Sequence, residues 1–600
     1  MRSQYPKCVQ GQATIFLTQS ELVPVQFNMA PAATAPYQWL LAVLSVAFIF
    51  SSFGNGANDV ANAYATSVAA RTLTMAQAGV LAVITEFVGA VALGARVTNT
   101  IKNGIITIDR FDDRPGALML AMTCAEIGSA TWLMIASRFG MPVSTTHTIV
   151  GSLIGVGFAS QSAIKWQWQS GSVSQIGASW AIAPSIAAAF SALLYGILRL
   201  TVLDRSDPFK WAMRLIPLYL AFTGSVLALF IVIELPTAPS LEEFGIGKAV
   251  GIILGTFFGI LAIAFTFFKP YFHRRIVQKD SRIEFWHIPL GPLLWKENPP
   301  LYFAGKAKAE VRNYYAITLD TEKHLQVSQT SRPLESPATN AEPPMHDSEK
   351  VSPGQSHVAP IERHSSVVAH VELGPHERFL APVRHLPWTH YRRWIGYLKF
   401  GLLQGVTREC VAYKADSMVH FHAHAKRTDL RVEHLWTYCQ VASAIMMSIA
   451  HGSNDVANAV GPWVAAYQTY NDGVVSTRSP TPVWILIVAG FLLGAGFWVF
   501  GYHVVRSLGN RITRMSPTRG YCVELGAAIT VLLASRLGLP VSTTQCLTGA
   551  VLGVSLMNFD LRATNWKQMG FIFSGWVLTL PVAGLISGLL CVMALNTPSL

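Results

Sequence analysis

Near the start of the chain an otherwise apolar stretch contains Gly56-Ala57-Asn58-Asp59-Val60-Ala61-Asn62-Ala63, and the pattern returns as Gly452-Ser453-Asn454-Asp455-Val456-Ala457-Asn458-Ala459. Seven of the eight positions are identical at an offset of 396, the exception being Ala57 against Ser453. The Asp59 and Asp455 carboxylates suit a small hard cation, as do carbonyls freed by a helix break, while amides exposed at a helix start suit an anion. Gly54, Gly56 and Gly452 permit such a break, with Asn58 and Asp59 capping a new segment from Val60. An isolated Asn62 or Asn458 could serve only to bond a neighbouring helix. Duplication of the whole set favours a functional pair.

A second pair follows in the same order. Ala136-Ser137-Arg138-Phe139-Gly140-Met141-Pro142-Val143-Ser144-Thr145-Thr146 is answered by Ala534-Ser535-Arg536-Leu537-Gly538-Leu539-Pro540-Val541-Ser542-Thr543-Thr544. Pro142 and Pro540 fit the first turn of a new helix. The hydroxyls behind them then cluster at a helix start, where they can donate to a tetrahedral oxyanion without adding net charge. Alone this is weak evidence, because Ser and Thr often satisfy their own helix carbonyls. Upstream, Glu126 and Glu524 share one register inside apolar runs.

An anion beside Asp59 and Asp455 is repelled unless cations lie between them, so the paired carboxylates point to cation coupling. Each cation carried also draws about 2.3 kcal/mol per 100 mV from the membrane potential. A carboxylate accepts a hydrogen bond from a protonated oxyanion, whereas sulfate at neutral pH has no proton to give. Phosphate is the favoured cargo.

Such residues need elements that hold them at depth. The 600 residues are 51% hydrophobic and 13% charged, too apolar for a soluble multidomain chain. Apolar runs of spanning length occur at Tyr37 to Phe53, Ala76 to Ala95, Gly116 to Ser137, Pro142 to Ala159, Ile176 to Leu203, Trp211 to Leu235 and Val250 to Phe268. Five more lie near Leu435 to Ala450, Val483 to Tyr502, Gly520 to Ser535, Val541 to Leu556 and Phe571 to Leu595. The net charge of +12 gathers in loops beside these runs, which argues for topology rather than nucleic-acid binding. Seven scattered cysteines suggest neither disulfides nor a metal. Before Met29, itself a possible start, no cleaved signal is expected.

Between the halves the chain from Lys269 to about Glu433 is polar, and its Ser-, Pro-, Glu- and His-rich middle, Gln326 to Pro375, predicts disorder. His420, His422 and His424 could hold a metal, with a solvated loop as the default. Lys269, Arg274, Arg275 and Lys279, with Lys426, Arg427 and Arg431, put this loop in the cytoplasm and both termini outside. Arg96, Lys102, Arg110 and Arg114 object to that orientation. Seven crossings between the two copies of the first motif turn the second copy upside down, the arrangement of inverted-repeat transporters.

The expectation is an all-α polytopic membrane protein with about twelve transmembrane segments in two inverted-topology repeats, with broken or re-entrant helices at the midplane. Residues 1–36 form an N-terminal extension, 37–268 the first membrane half, 269–433 the loop and 434–600 the second half.

These motifs closely resemble the signature of the inorganic phosphate transporter (PiT) family of sodium-phosphate symporters, which carries Gly-Ala-Asn-Asp-Val-Ala-Asn-Ala near the start of each half. The resemblance covers most of both halves. It implies a secondary symporter binding phosphate near midmembrane through Asp59, Asn62, Thr145, Thr146, Asp455, Asn458, Thr543 and Thr544. Sodium is assigned to Asn58, Asp59, Ser144, Asn454, Asp455 and Ser542. Glu86, in Ile84-Thr85-Glu86-Phe87-Val88-Gly89, and Glu524 resemble transport-essential glutamates, and Glu126 joins them by register. The family further implies a homodimer in the plasma membrane, in contact with lipid, with no cofactor beyond sodium as coupling ion.

This chain departs from symmetry where His147 faces Gln545 in the alignment and where Phe491 lies near the register of Glu86. His451 reads either as a pH sensor or as a histidine bonded to a neighbouring helix. The rival readings are a proton-driven phosphate symporter, a sulfate symporter and a phosphate sensor signalling through the loop. An enzyme is disfavoured, since no nucleophile-base set or phosphate-cradling loop on a soluble domain appears.

Overall fold

A backbone surrounded by hydrocarbon must satisfy its amides and carbonyls within the segment, and the apolar runs do so as helices. The computed structural model describes residues 33–169, 171–234, 245–305, 311, 314–315, 374–411, 421–475 and 480–597. Its first half comprises α1 (Gln38–Asn55), α2 (Ala61–Ala69), α3 (Met75–Leu93), α4 (Ala95–Gly104), α5 (Pro115–Arg138), α6 (Thr145–Ala159), α7 (Val173–Leu198), α8 (Pro208–Glu234) and α9 (Ile246–Ile263). After α10 (Tyr391–Leu403) come α11 (Leu430–Asp472), α12 (Val483–Phe500), α13 (Tyr502–Leu508), α14 (Pro517–Arg536), α15 (Thr543–Leu556) and α16 (Trp566–Leu595). One succession of long and short helices therefore occurs twice, and α8 and α9 follow only the first copy.

Among the described residues eight helices are long and apolar enough to cross a membrane. The sequence suggested about twelve segments, and each of those stretches contains a helix. The four that fall short are α6 and α15, of 15 and 14 residues, and α11 and α14, which carry Asp455, Glu524 and their polar neighbours. A helix of that short length rises only about 22 Å, less than the hydrocarbon thickness. Leu193, Phe258 and Leu585 remain about 60% exposed on the outer surface (59%, 61% and 60%), as suits lipid contact.

The halves interlock. α6 packs along α16, α15 along α7, and α3 along both α11 and α12. Glycines let the backbones meet: Gly151 and Gly155 lie against Leu580 and Gly584, while Gly549 and Gly553 lie against Pro184 and Ala188. Small residues serve this purpose in membranes because close packing replaces the missing hydrophobic drive between helices.

Two expectations about helix breaks are corrected. The first motif does not interrupt its helix: Gly56–Val60 is a single π turn joining α1 to α2, and the second copy lies inside uninterrupted α11. Gly56 is right-handed helical (φ −58°, ψ −41°). Its value is the absence of a Cβ, which would overlap the Leu493 carbonyl, just as a Cβ on Gly452 would come within 2.7 Å of the Glu86 carbonyl. The second motif does break the chain, at left-handed Gly140 and Gly538 (φ +65° and +66°). However, the new helices begin at Thr145 and Thr543, three residues after Pro142 and Pro540, with Ser144 and Ser542 as N-caps.

Three of the basic residues that opposed the expected orientation donate to groups of the bundle, two from its surface and one from inside. Arg96 donates to the Arg536 carbonyl at 3.0 Å, Arg110 to the Ser160 carbonyl at 3.3 Å, and buried Lys102 to Gln468. The first two complement helix C-termini. The described flanks of the central segment fold onto the bundle: Tyr271 meets Tyr438 at 2.8 Å and Tyr315 donates to Glu433 at 2.8 Å. His422 and His424 have separate partners, the Asn510 carbonyl and Asp560, so these two do not converge and neither is simply solvated. His420 and 326–373 of the expected disordered middle lie outside the described residues.

Candidate substrate site between the two halves

Asp59, on the π turn, and Asp455, within α11, face each other at the meeting point of the α6 and α15 N-termini. The Asp59 Oδ2 accepts from the Thr145 hydroxyl (2.6 Å) and amide (3.2 Å), and its Oδ1 lies 2.5 Å from the Thr544 hydroxyl and 3.1 Å from the Asn62 amide nitrogen. The other half repeats the plan. The Thr543 hydroxyl donates to Asp455 Oδ2 at 2.5 Å, and Asn458 Nδ2 donates to Asp455 Oδ1 at 3.3 Å. Asn62 reaches across to Thr544 (2.7 Å), and Asn458 reaches across to Thr145 (2.9 Å) and Thr146 (3.3 Å). Finally Thr146 donates to the Val541 carbonyl and Thr544 can donate to the Val143 carbonyl, both at 3.0 Å. The hairpin tips therefore clasp each other with paired contacts.

The structure brings Asp59, Asn62, Thr145, Thr146, Asp455, Asn458, Thr543 and Thr544 into one fully buried cluster. It does not place Ser144, Ser542 or Asn58 against the carboxylates. The serine hydroxyls accept the His147 and Gln545 amides at 3.1 and 3.3 Å. Asn58 grips its own hairpin, donating to Ser137 (3.2 Å) and the Met141 carbonyl (3.0 Å) and accepting from the Val143 amide (3.0 Å). Asn454 is intermediate: oriented to match donors with acceptors, its amide donates to Val541 and to Asp455 Oδ1 at 3.1 Å.

Two features bear on charge. The carbonyl oxygens of Asn62 and Asn458 are buried without a hydrogen-bond donor among the described residues. Each lies on the side chain whose nitrogen already contacts an aspartate, so these oxygens are vacant acceptors inside the site. The recorded partners of Asp59 are hydroxyls and amides; those of Asp455 also include His451, whose Nε2 is 3.0 Å from Asp455 Oδ2. No lysine or arginine is among them. Ligand atoms of Asp59, His451 and Asp455 all fall within 4.8 Å of one another.

The three glutamates have unlike surroundings. Glu524 is caged by donors: Thr66 and Ser67 at 2.6 Å, Ser443 at 2.7 Å and Gln440 at 3.2 Å. Glu86 accepts from Ser448 at 2.6 Å and meets His451 Nδ1 at 2.7 Å, so the imidazole links Glu86 to Asp455. Glu126 is fully buried with Ser51 as its polar neighbour, without the cage of four donors that surrounds Glu524. The 396 offset accounts for the contrast between Glu126 and Glu524: the positions matching Gln440 and Ser443 are Leu44 and Ala47.

Sequence reading missed Glu86–His451–Asp455 as a unit. Ser448, His451 and Asp455 recur at helical spacing on one face, a signal the sequence contains, but nothing in it indicated that α3 supplies Glu86. The packing also moves the counterpart of Glu86 from Phe491 to Leu493, because Gly452 lies against Glu86 as Gly56 lies against Leu493. His451 in turn aligns with Asn55, whose amide donates to the Asp455 carbonyl at 2.8 Å. One contact between the halves therefore carries a buried acid and histidine where its counterpart carries leucine and asparagine.

A lipid-facing helical bundle around a duplicated, buried cluster of carboxylates, amides and hydroxyls is the architecture of an integral membrane transporter. The chain belongs to the phosphate transporter family (PHO4), which it matches over residues 55–587. This is a family of transporters rather than enzymes. The chain is 36% identical to the phosphate-repressible phosphate permease pho-4 of Neurospora crassa, covering 94% of this chain and 98% of that one. It is 27% identical to sodium-dependent phosphate transporter 1 of Xenopus tropicalis, covering 92% and 95%. A solved structure titled the sodium-dependent phosphate transporter shares the fold, with a TM-score of 0.61 and 23% identity over 93% of this chain and all of that one.

Proposed function

We propose that this protein is a secondary symporter that moves inorganic phosphate together with sodium across the plasma membrane. The observation that carries the reading is the pair of buried aspartates flanked by vacant Asn62 and Asn458 oxygens, with no lysine or arginine among their recorded partners. Oxygen ligands of this kind suit a hard cation. Sodium at Asp59 and Asp455 frees the Thr145, Thr146, Thr543 and Thr544 hydroxyls, together with the α6 and α15 N-termini, to bind phosphate. Asn58, Asn454, Ser144 and Ser542 support sodium binding by fixing the hairpins. Glu86, Glu126 and Glu524 are assigned as transport-essential.

In this proposal the two halves are inverted repeats whose exchange of conformation alternates access, α6 and α15 re-enter without crossing, the central segment is cytoplasmic and both termini are external. The protein acts as a homodimer. A proton-driven version of the cycle has one observation in its favour, the His451 bridge between Glu86 and Asp455.

Radiolabelled phosphate uptake into proteoliposomes, with sodium or choline outside, tests the reading for wild type, Asp59→Asn and Asp455→Asn. The expected result is sodium-dependent uptake reduced roughly tenfold or more in both variants, with folded protein recovered. Uptake indifferent to sodium but driven by an inward proton gradient selects the second reading. Sulfate carried in preference to phosphate rejects phosphate as the cargo.

A further inference from the structure

The central segment contains an element that transport does not explain. α10 is 13 residues long and two-sided. Its inner face packs on the preceding turns: Gly396 is buried against Val383 and the Phe379 carbonyl, and the Phe400 ring lies 6.4 Å from His376. The opposite face leaves Tyr391, Trp394, Ile395, Leu398 and Leu402 exposed by 42–62%. Their spacing of three and four residues makes one continuous apolar stripe. Such a stripe in water is costly unless something covers it.

Its location indicates what that is. Trp498, two residues before the end of spanning helix α12, donates to the Leu402 carbonyl at 2.6 Å, and Gly405 lies against the Trp498 and Val499 carbonyls. The stripe therefore begins where a membrane-crossing helix ends. At about 20 Å, α10 is too short to cross, and an amphipathic helix at that position lies in the interface plane. Residues 376–403 carry Arg378, Arg384, Arg392, Arg393 and Lys399 against one acid, Glu377. Arg392 and Lys399 flank the stripe on one edge, while Arg393 stacks 3.7 Å over Trp388. Aromatic and aliphatic residues beside exposed bases are the composition that binds anionic lipid.

We propose that α10 is an interfacial helix that inserts its Tyr391–Leu402 stripe into the headgroup boundary of an anionic leaflet, its bases pairing with lipid phosphates. The cytoplasmic leaflet is the anionic one, in keeping with the orientation proposed above.

Full-length protein bearing single spin labels at positions 392, 395, 398, 399 and 402 is reconstituted into nanodiscs of phosphatidylcholine with or without phosphatidylserine. Collision with oxygen and with a water-soluble nickel chelate is measured at each site. The expected pattern in the anionic discs is oxygen-rich, nickel-poor labels at 395, 398 and 402 and the reverse at 392 and 399, with at least about a threefold contrast. In protein labelled at 395, 398 or 402, Arg384→Glu, Arg392→Glu and Lys399→Glu together should abolish the oxygen enrichment and nickel exclusion at the label, while lysine at the same three positions should keep both. Nickel reaching the stripe in anionic discs overturns the proposal. So does exclusion of both reagents, which assigns the cover to protein, and so does equal immersion in neutral discs, which removes the role of lipid charge.

Discussion

Removing one partner of a buried hydrogen-bonded pair leaves a polar atom of the other unsatisfied, a loss of about 1–3 kcal/mol. Glu86→Leu and His451→Asn should each lower thermal stability on that scale, whereas the double variant, which copies Leu493 and Asn55, should be more stable than either single change. Thermal denaturation of the solubilised protein followed by size-exclusion chromatography measures this; additive losses would remove the coupling. Glu126 and Glu524 give the opposite contrast. Replacing caged Glu524 by leucine leaves Thr66, Ser67, Ser443 and Gln440 without their acceptor and should cost several kcal/mol, while Glu126→Leu removes a buried carboxylate whose polar neighbour is Ser51 and should cost at most about 1 kcal/mol. If Glu126→Leu still abolishes phosphate uptake with stability retained, the loss reports on transport itself.

At the level of elements, glycine decides how closely helices approach. A methyl group at position 452 meets the Glu86 carbonyl, so Gly452→Ala should destabilise by about 1–3 kcal/mol, whereas Gly401→Ala on α10, in open space, should be neutral or favourable to the helix. Equal melting temperatures for the two variants would show that the α3–α11 contact yields. The same contact marks the limit of what the sequence disclosed. The duplicated motifs, the apolar stretches and the helix starts after Gly140 and Gly538 were legible, because local chemistry specifies them. The uninterrupted helix through Gly56 was not: a glycine required by a neighbour's backbone looks in sequence like one required by its own. The Glu86 counterpart was misplaced by two residues because α11 runs fourteen residues beyond Asn458 while α2 ends seven beyond Asn62, so the register drifts between motifs.

In the whole molecule the halves share their principal contacts, since α6 lies on α16 and α15 on α7. The described contacts of the central segment with the bundle come from both sides of its middle, through Tyr271 and Tyr315 before it and through Leu402, Gly405, His422 and His424 after it. Deleting residues 320–370 should therefore leave phosphate uptake in proteoliposomes within about twofold of wild type. Loss of uptake by a correctly folded deletion would assign the segment a direct part in transport and revive the sensor reading.

The unequal pairs at the two aspartates also bear on descent. If both halves came from one ancestral segment, Glu86 with His451 and Leu493 with Asn55 are two outcomes of one starting pair of positions. A lineage changing only one member passes through a protein with an unsatisfied buried polar group, which selection disfavours. The acid and the histidine should thus be inherited together, and relatives with an apolar residue at the position of Glu86 should carry a neutral one at the position of His451.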